Sequence, residues 1–277
     1  MRLLAIVLSF VLVATDALAT ETPWQNHQDM LRTRLVVASH DAAMAAPKGD
    51  GDLLLAWEAE LAPGWKTYWR SPGEAGLPVR INHGGKAIDI YYPLPERFEL
   101  FGLETYGYSN RVLMPFRINS SDRASAVEAD FMVCKEICVP FRTTYSLDAV
   151  PLMPAFSKHD IRVGTWLKQV PDREEDAGAG LAILSARVVG PVGHQRLIVD
   201  AKADKGLAGA DLLAEAGDMF HFGSPQMKLL GDGTRVRFVL AAMTGKKSEN
   251  LKGGSVRLTF SDGRGHAIDT TVPLAAN

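Results

Sequence analysis

The sequence predicts an all-β protein of two β-sandwich domains joined by a short linker that contains a helix. Short apolar and aromatic runs recur along 277 residues, punctuated by Gly, Pro and Asp turns, where α/β chains would show strands alternating with helical patterns of about 10 to 15 residues. The length left after an N-terminal leader, about 255 residues, exceeds one compact β-domain and fits two. The strand pattern is interrupted once, at 151–180, by prolines, an amphipathic stretch and an acidic, glycine-rich run.

Taken in order, 30–39 and 52–61 are strand-like, the second alternating as Leu53, Leu55, Trp57, Ala59 and Leu61. Pro63-Gly64 turns the chain into an aromatic strand at 65–69, which Ser71-Pro72-Gly73 ends. Strands follow at 79–81 and 87–92. The stretch 93–110, with Phe98, Phe101, Tyr106 and Tyr108 among Gly102 and Gly107, reads as a long shaped loop. Strands at 111–118, 126–134 and 138–147 complete the first set.

Pro151 and Pro154 then precede an expected helix over 156–170, with Ile161, Trp166 and Leu167 as its apolar residues. Beyond the acidic run at 171–180, strands return at 182–189, 196–201, 219–222, 235–240, 255–260 and 267–272. The expected division is a leader at 1–19, a first domain at 20–150, a linker at 151–180 and a second domain at 181–277.

The leader has the form of a cleavable signal peptide: Arg2, an apolar run at 3–13 and the small-residue site Ala17-Leu18-Ala19. That run is about half of the ~20 residues a membrane span needs. No cysteine follows the cleavage site for lipid attachment, and no later stretch is long and apolar enough to span, so the mature chain is expected to be exported and soluble. With 47% hydrophobic residues both domains can build cores. A formal net charge of -2 with scattered Lys and Arg offers no clustered basic face, which argues against nucleic acid as a partner.

The chain has two cysteines, Cys134 and Cys138, and exported thiols meet oxidants that favour pairing. Val127, Ala129, Phe131 and Val133 alternate on the way in; Val139, Phe141, Thr143, Tyr145 and Leu147 alternate on the way out. A hairpin with Lys135, Glu136 and Ile137 as its loop sets the cysteines opposite each other, with Cα atoms about 4.5 to 5.5 Å apart, within disulfide range. A structural staple is one reading. Closing about 5 residues stabilises by only roughly 2 kcal/mol, against about 4.7 for 100 residues, and a hairpin tip is open to an attacking thiolate, so redox exchange is favoured. Two thiols four apart can also hold Cu(I), although none of the seven histidines lies within 20 residues of them. No G-x-S-x-G, H-E-x-x-H or phosphate-binding glycine loop occurs.

Four segments together are more specific. They are Gly64-Trp65-Lys66-Thr67-Tyr68-Trp69-Arg70-Ser71-Pro72-Gly73, Arg97-Phe98-Glu99-Leu100-Phe101-Gly102, Tyr106-Gly107-Tyr108 and Val133-Cys134-Lys135-Glu136-Ile137-Cys138-Val139-Pro140. Over about 29–150 the sequence resembles the N-terminal periplasmic domain of the thiol:disulfide interchange protein DsbD, and more closely its copper-sensitivity-suppressor relatives, ScsB. The segment 217–223 is similar to the second β-domain of extended ScsB-like chains. The resemblance implies immunoglobulin-like sandwiches, a periplasmic location and no small cofactor, and the residues themselves mark out no metal site.

It further implies that the cysteine pair takes electrons from a thioredoxin-like domain of a membrane-bound reductase and hands them to periplasmic disulfide proteins. Cytochrome c maturation factors and copper-stress proteins are candidate clients. Cys138 matches the cysteine that forms mixed disulfides and Cys134 the one that resolves them. Phe98, Leu100 and Phe101 fall on the family's cap, and Trp65 and Tyr68 on the aromatic strand beside it. DsbD has a longer spacing between its cysteines and continues into membrane and thioredoxin-like domains, so this chain is expected to act as a free-standing relay. The alternatives are a copper-binding protein that uses the two thiols and a non-catalytic adaptor with a structural disulfide.

Overall fold

A computed structural model of the chain describes residues 20–100, 102–122, 124–148, 150–151, 154–176, 178–217, 220–244 and 249–276. The leader expected at 1–19 lies outside the described residues. The predicted class holds: the chain is mostly β-strand, with two α-helices among the described residues, α1 (His40–Ala45) and α2 (Asp160–Leu167).

The first sandwich is built of β1 (Gln25–His27), β2 (Leu31–Val37), β3 (Leu53–Leu61), β4 (Lys66–Gly73), β5 (Arg80–His83), β6 (Lys86–Ile88), β7 (Glu96–Leu100), β8 (Leu103–Ser109), β9 (Arg111–Ile118), β10 (Val127–Cys134) and β11 (Cys138–Tyr145). One sheet runs β1-β2-β3-β9. The other runs β6-β5-β10-β4-β8-β7, with β11 paired to β10. Between them lie Leu35, Trp57, Trp69, Phe116 and Phe131, all buried. Buried Tyr145 receives a hydrogen bond from Trp57 Nε1 at 3.0 Å and contacts Thr33 Oγ1 at 2.5 Å, so its hydroxyl is paired inside the core, whereas Trp69 Nε1 is buried without a partner among the described residues.

The alternation at 53–61 predicts one buried face, yet Leu54 and Ala56 on the opposite face are buried too. The two helices account for this, since Ala43 of α1 and Val163 of α2 pack with Val36, Leu54, Ala56 and Leu113 on the outer side of β2, β3 and β9. The expected helix over 156–170 is shorter in the structure. The Asp160 carboxylate accepts from Ser39 N at 2.8 Å and Ser157 N at 3.3 Å, so the preceding residues form a docked turn. Ile161, expected on the apolar side, is 85% exposed, and Val163 is buried in its place.

Two further expectations are corrected. The stretch 93–110 is no shaped loop: β7 and β8 form an antiparallel hairpin in register from Glu96↔Gly107 to Leu100↔Leu103. The expected strand at 87–92 is only its first part, Lys86–Ile88, after which Ile90 makes a single bridge to Phe116.

The second sandwich comprises β12 (Asp172–Arg173), β13 (Ala182–Val189), β14 (Arg196–Lys202), β15 (Asp211–Glu215), β16 (Phe220–Phe222), β17 (Gln226–Leu230), β18 (Arg235–Thr244), β19 (Ser255–Ser261) and β20 (Ala267–Pro273). Its sheets run β12-β20-β19-β15 and β13-β14-β18-β16, with β17 paired to β18. They enclose a separate core that includes Leu197, Val199, Phe238 and Phe260. β15 and β17 lack clear alternation and escape the sequence reading. Leu213 of β15 packs into the core of the first sandwich, so the two units touch through apolar as well as charged groups.

Candidate thiol-disulfide site

Cys134 ends β10 and Cys138 begins β11, and the two are Cα partners in a register that continues without a break to Val127↔Tyr145. They are joined by a disulfide with a Cα–Cα distance of 4.2 Å, slightly shorter than the separation expected from the sequence. The predicted three-residue loop, 135–137, is the hairpin tip, where Ile137 is 59% exposed.

Side chains alternate across a strand. Phe131 and Val133 of β10 enter the core, so Met132 and Cys134 stand on the outer face of the sheet. A side chain there would ordinarily meet water. Cys134 is nonetheless fully buried, because Tyr68 and Leu100 pack on it, with Phe98 and Met132 alongside. Cys138, one bond away, is exposed. The disulfide thus has a shielded end and an open end.

Strand pairing assembles this cover. β10 meets β4 at Val133↔Thr67 and Cys134↔Lys66, β4 meets β8 at Tyr68↔Gly107, and β8 carries β7 with Phe98 opposite Thr105. Gly107 is required for close approach: a Cβ there would lie 1.9 Å from the Thr67 carbonyl oxygen. Thr67 Oγ1 donates to the Met132 carbonyl at 3.0 Å, tying β4 to the cysteine strand.

The Tyr68 and Phe98 rings are 6.4 Å apart, and Lys66 Nζ sits 4.2 Å above the Phe98 ring. The Tyr68 hydroxyl is 4.0 Å from Cys138 Sγ. Burial pushes the Tyr68 phenol up to about 12, and because the disulfide sulfur carries no hydrogen the phenol is the donor toward it. Among the described residues no group of three or more His, Cys, Asp or Glu is placed to hold a metal ion.

Of the residues singled out in the sequence, the structure brings together Cys134, Cys138, Tyr68, Phe98 and Leu100. Trp65 stands apart and packs against the main core. Phe101 lies outside the described residues. The sequence reading missed Met132 and Lys66. Met132 has the same parity as Cys134, and Lys66 directly precedes Thr67 in a quoted motif, so strand alternation was the signal that could have found them.

A β-sandwich with a disulfide across a hairpin tip, under a second hairpin, defines a class. Residues 32–149 match the family described as thiol:disulfide interchange protein DsbD, N-terminal. Residues 169–277 match a family described as a domain of unknown function (DUF8393). Among solved structures, the N-terminal periplasmic domain of ScsB from Proteus mirabilis is similar, with 20% identity and a TM-score of 0.74. The match covers 94% of this chain and 100% of that one, so it extends through both sandwiches. The Ig1-2 module of the Drosophila receptor protein tyrosine phosphatase DLAR superposes only loosely, at 10% identity and a TM-score of 0.23 over 80% of this chain and 89% of that one. No curated protein matches. No helix among the described residues is long and apolar enough to cross a membrane.

Proposed function

We propose that the Cys134/Cys138 pair is a periplasmic electron relay, reduced by a thioredoxin-like domain of a membrane-bound reductase and oxidised by periplasmic disulfide proteins. The observation that carries this reading is the asymmetry of the bond, with Cys138 exposed and Cys134 fully buried. A partner thiolate attacks Cys138 Sγ, forms a mixed disulfide and releases Cys134 as a thiolate. The partner's second thiolate then cleaves the mixed disulfide, leaving the domain as a dithiol with two electrons gained. Toward a client the steps reverse: the Cys138 thiolate attacks the client disulfide, and Cys134 attacks Cys138 Sγ to release the client reduced. The neutral Tyr68 hydroxyl favours the Cys138 thiolate at the two points where it forms or acts, on release from the reducing partner and in attack on the client. Kinship with DsbD and ScsB suggests cytochrome c maturation factors or copper-stress proteins as clients.

Equilibration of the intact chain with thiol buffers tests the relay. The expected midpoint potential lies above about -300 mV, whereas structural disulfides of exported proteins lie below that value. A lower potential would return the pair to the role of a staple.

In this reading β7 and β8 form a cap that protects the reduced Cys134 from stray oxidants. Leu100→Ala, made in a Cys138→Ser background, is expected to speed alkylation of the Cys134 thiol by iodoacetamide roughly tenfold, because an apolar side chain leaves the lid over that sulfur. An unchanged rate would count against the cap.

A further inference from the structure

The β7–β8 hairpin has two faces, and the cysteines occupy only one. Phe98 and Leu100 point toward Tyr68 and Cys134. Arg97, Glu99, Glu104 and Tyr106 occupy the other face, since Arg97 pairs with Tyr106 and Glu99 with Glu104 across the hairpin. Arg97 reaches the second sandwich there. Its Nε donates to Asp211 Oδ2 at 2.8 Å, and its Nη2 donates to Asp211 Oδ1 and to the Leu212 carbonyl, each at 2.9 Å. Nη1 of the same guanidinium binds Glu104 Oε1 at 2.6 Å, holding the two strands of the hairpin together. Glu104 in turn accepts from Ser224 of the second sandwich, and the Tyr106 hydroxyl lies 3.4 Å from the Phe222 carbonyl.

We propose that the second sandwich is a brace that holds the β7–β8 hairpin down over Cys134, with Arg97 and Asp211 as positioning residues that set how often the cap opens. This rests on the exchange reading above and gives the second sandwich a role in it. β8 pairs with β4 continuously only from Lys66↔Ser109 to Tyr68↔Gly107, with a register shift before Gly73↔Thr105, and β7 is an edge strand held by β8 alone, so the tip of the hairpin has few sheet bonds to hold it down. Here one face rests on the small apolar cluster around Cys134, while the other is fastened by a paired, bidentate arginine–carboxylate contact, the geometry in which such pairs hold position well. Because Arg97 directly precedes Phe98, movement of the guanidinium moves the ring packed on Tyr68. A partner that displaced Asp211 or Ser224 would thereby open the site without touching the cysteines.

The test uses the full chain as its Cys138→Ser variant, with iodoacetamide alkylation of Cys134 as the readout. Asp211→Asn is expected to raise the alkylation rate about threefold to tenfold, the partial exposure of the pair limiting the effect. Asp211→Glu keeps the carboxylate and should remain near the parent rate. Amide exchange should rise within 96–109 alone, with the melting temperature nearly unchanged. Should Asp211→Asn fail to fold, Ser224→Ala decides, and a smaller acceleration of the same kind is expected from it.

An unchanged rate, or an acceleration accompanied by exchange throughout the first sandwich, would overturn the brace. No redox partner enters this measurement, so its failure would leave the relay standing. A midpoint potential in the structural range would sink the relay and leave the alkylation result as it is.

Discussion

Reduced Cys134→Ser protein should capture a thioredoxin-like partner as a covalent complex at least about tenfold faster than reduced Cys138→Ser protein, because exchange depends on access to the attacking thiolate. A suitable probe is a thioredoxin-like protein retaining only its exposed cysteine, activated as a mixed disulfide with thionitrobenzoate. The thiolate of the domain displaces thionitrobenzoate, whose colour reports the rate.

The sequence hardly distinguishes the two cysteines, and Pro140 near Cys138 is a slight local hint. The structure separates them sharply: Cys138 is exposed at the hairpin rim beside the 59% exposed Ile137, while Cys134 is fully buried under Tyr68 and Leu100. The Tyr68 hydroxyl, whose phenol burial pushes up to about 12, faces Cys138 Sγ at 4.0 Å. Equal rates from the two variants would mean that the cap is open most of the time, and a faster Cys138→Ser protein would reverse the assignment.

The second large effect is on stability. Glu58 of β3 is fully buried and meets three arginines. Arg34 Nε of β2 donates to it at 2.7 Å, Arg162 of α2 reaches it at 2.7 and 3.2 Å, and Arg111 of β9 lies at 4.0 Å. Glu58→Ala leaves the partly buried Arg34 guanidinium with only Glu21, 3.7 Å away, as a nearby carboxylate.

Breaking a buried pair from one side costs about 3 to 5 kcal/mol. For a protein of this size that corresponds to a fall in melting temperature of roughly 10 °C. A loss under about 1 kcal/mol would show that water screens the cluster as it does a surface pair. Arg162 belongs to the helix that leads from the first sandwich toward the second. The same substitution should therefore loosen the second sandwich and raise the alkylation rate of Cys134 along with the loss of stability.

The cysteine hairpin was legible from the chain alone because its determinants are local. Alternation through Val127 to Val133 and Val139 to Leu147, with a three-residue loop between, specifies the Cys134↔Cys138 register without reference to any other strand. The strands of both sandwiches at 53–61, 111–118, 182–189 and 255–260 were visible for the same reason. The hairpin at 96–109 was not. Pro93, Pro95, Gly102 and Gly107 look like breakers in one dimension, but Gly107 is there so that β8 can approach the Thr67 carbonyl of a strand some 40 residues earlier.

Trp65 and Tyr68 looked equivalent as aromatic neighbours of the site, yet the structure sends Trp65 to the main core and Tyr68 to the cysteines. Tertiary structure alone decided that Cys134 would be covered and Cys138 open, that Arg97 would meet Asp211, and that Glu58 would gather arginines from two strands and a helix. A periodic pattern records which face of its own strand a side chain occupies. What lies against that face comes from segments tens to more than a hundred residues away, and is settled only when the sheets and sandwiches pack.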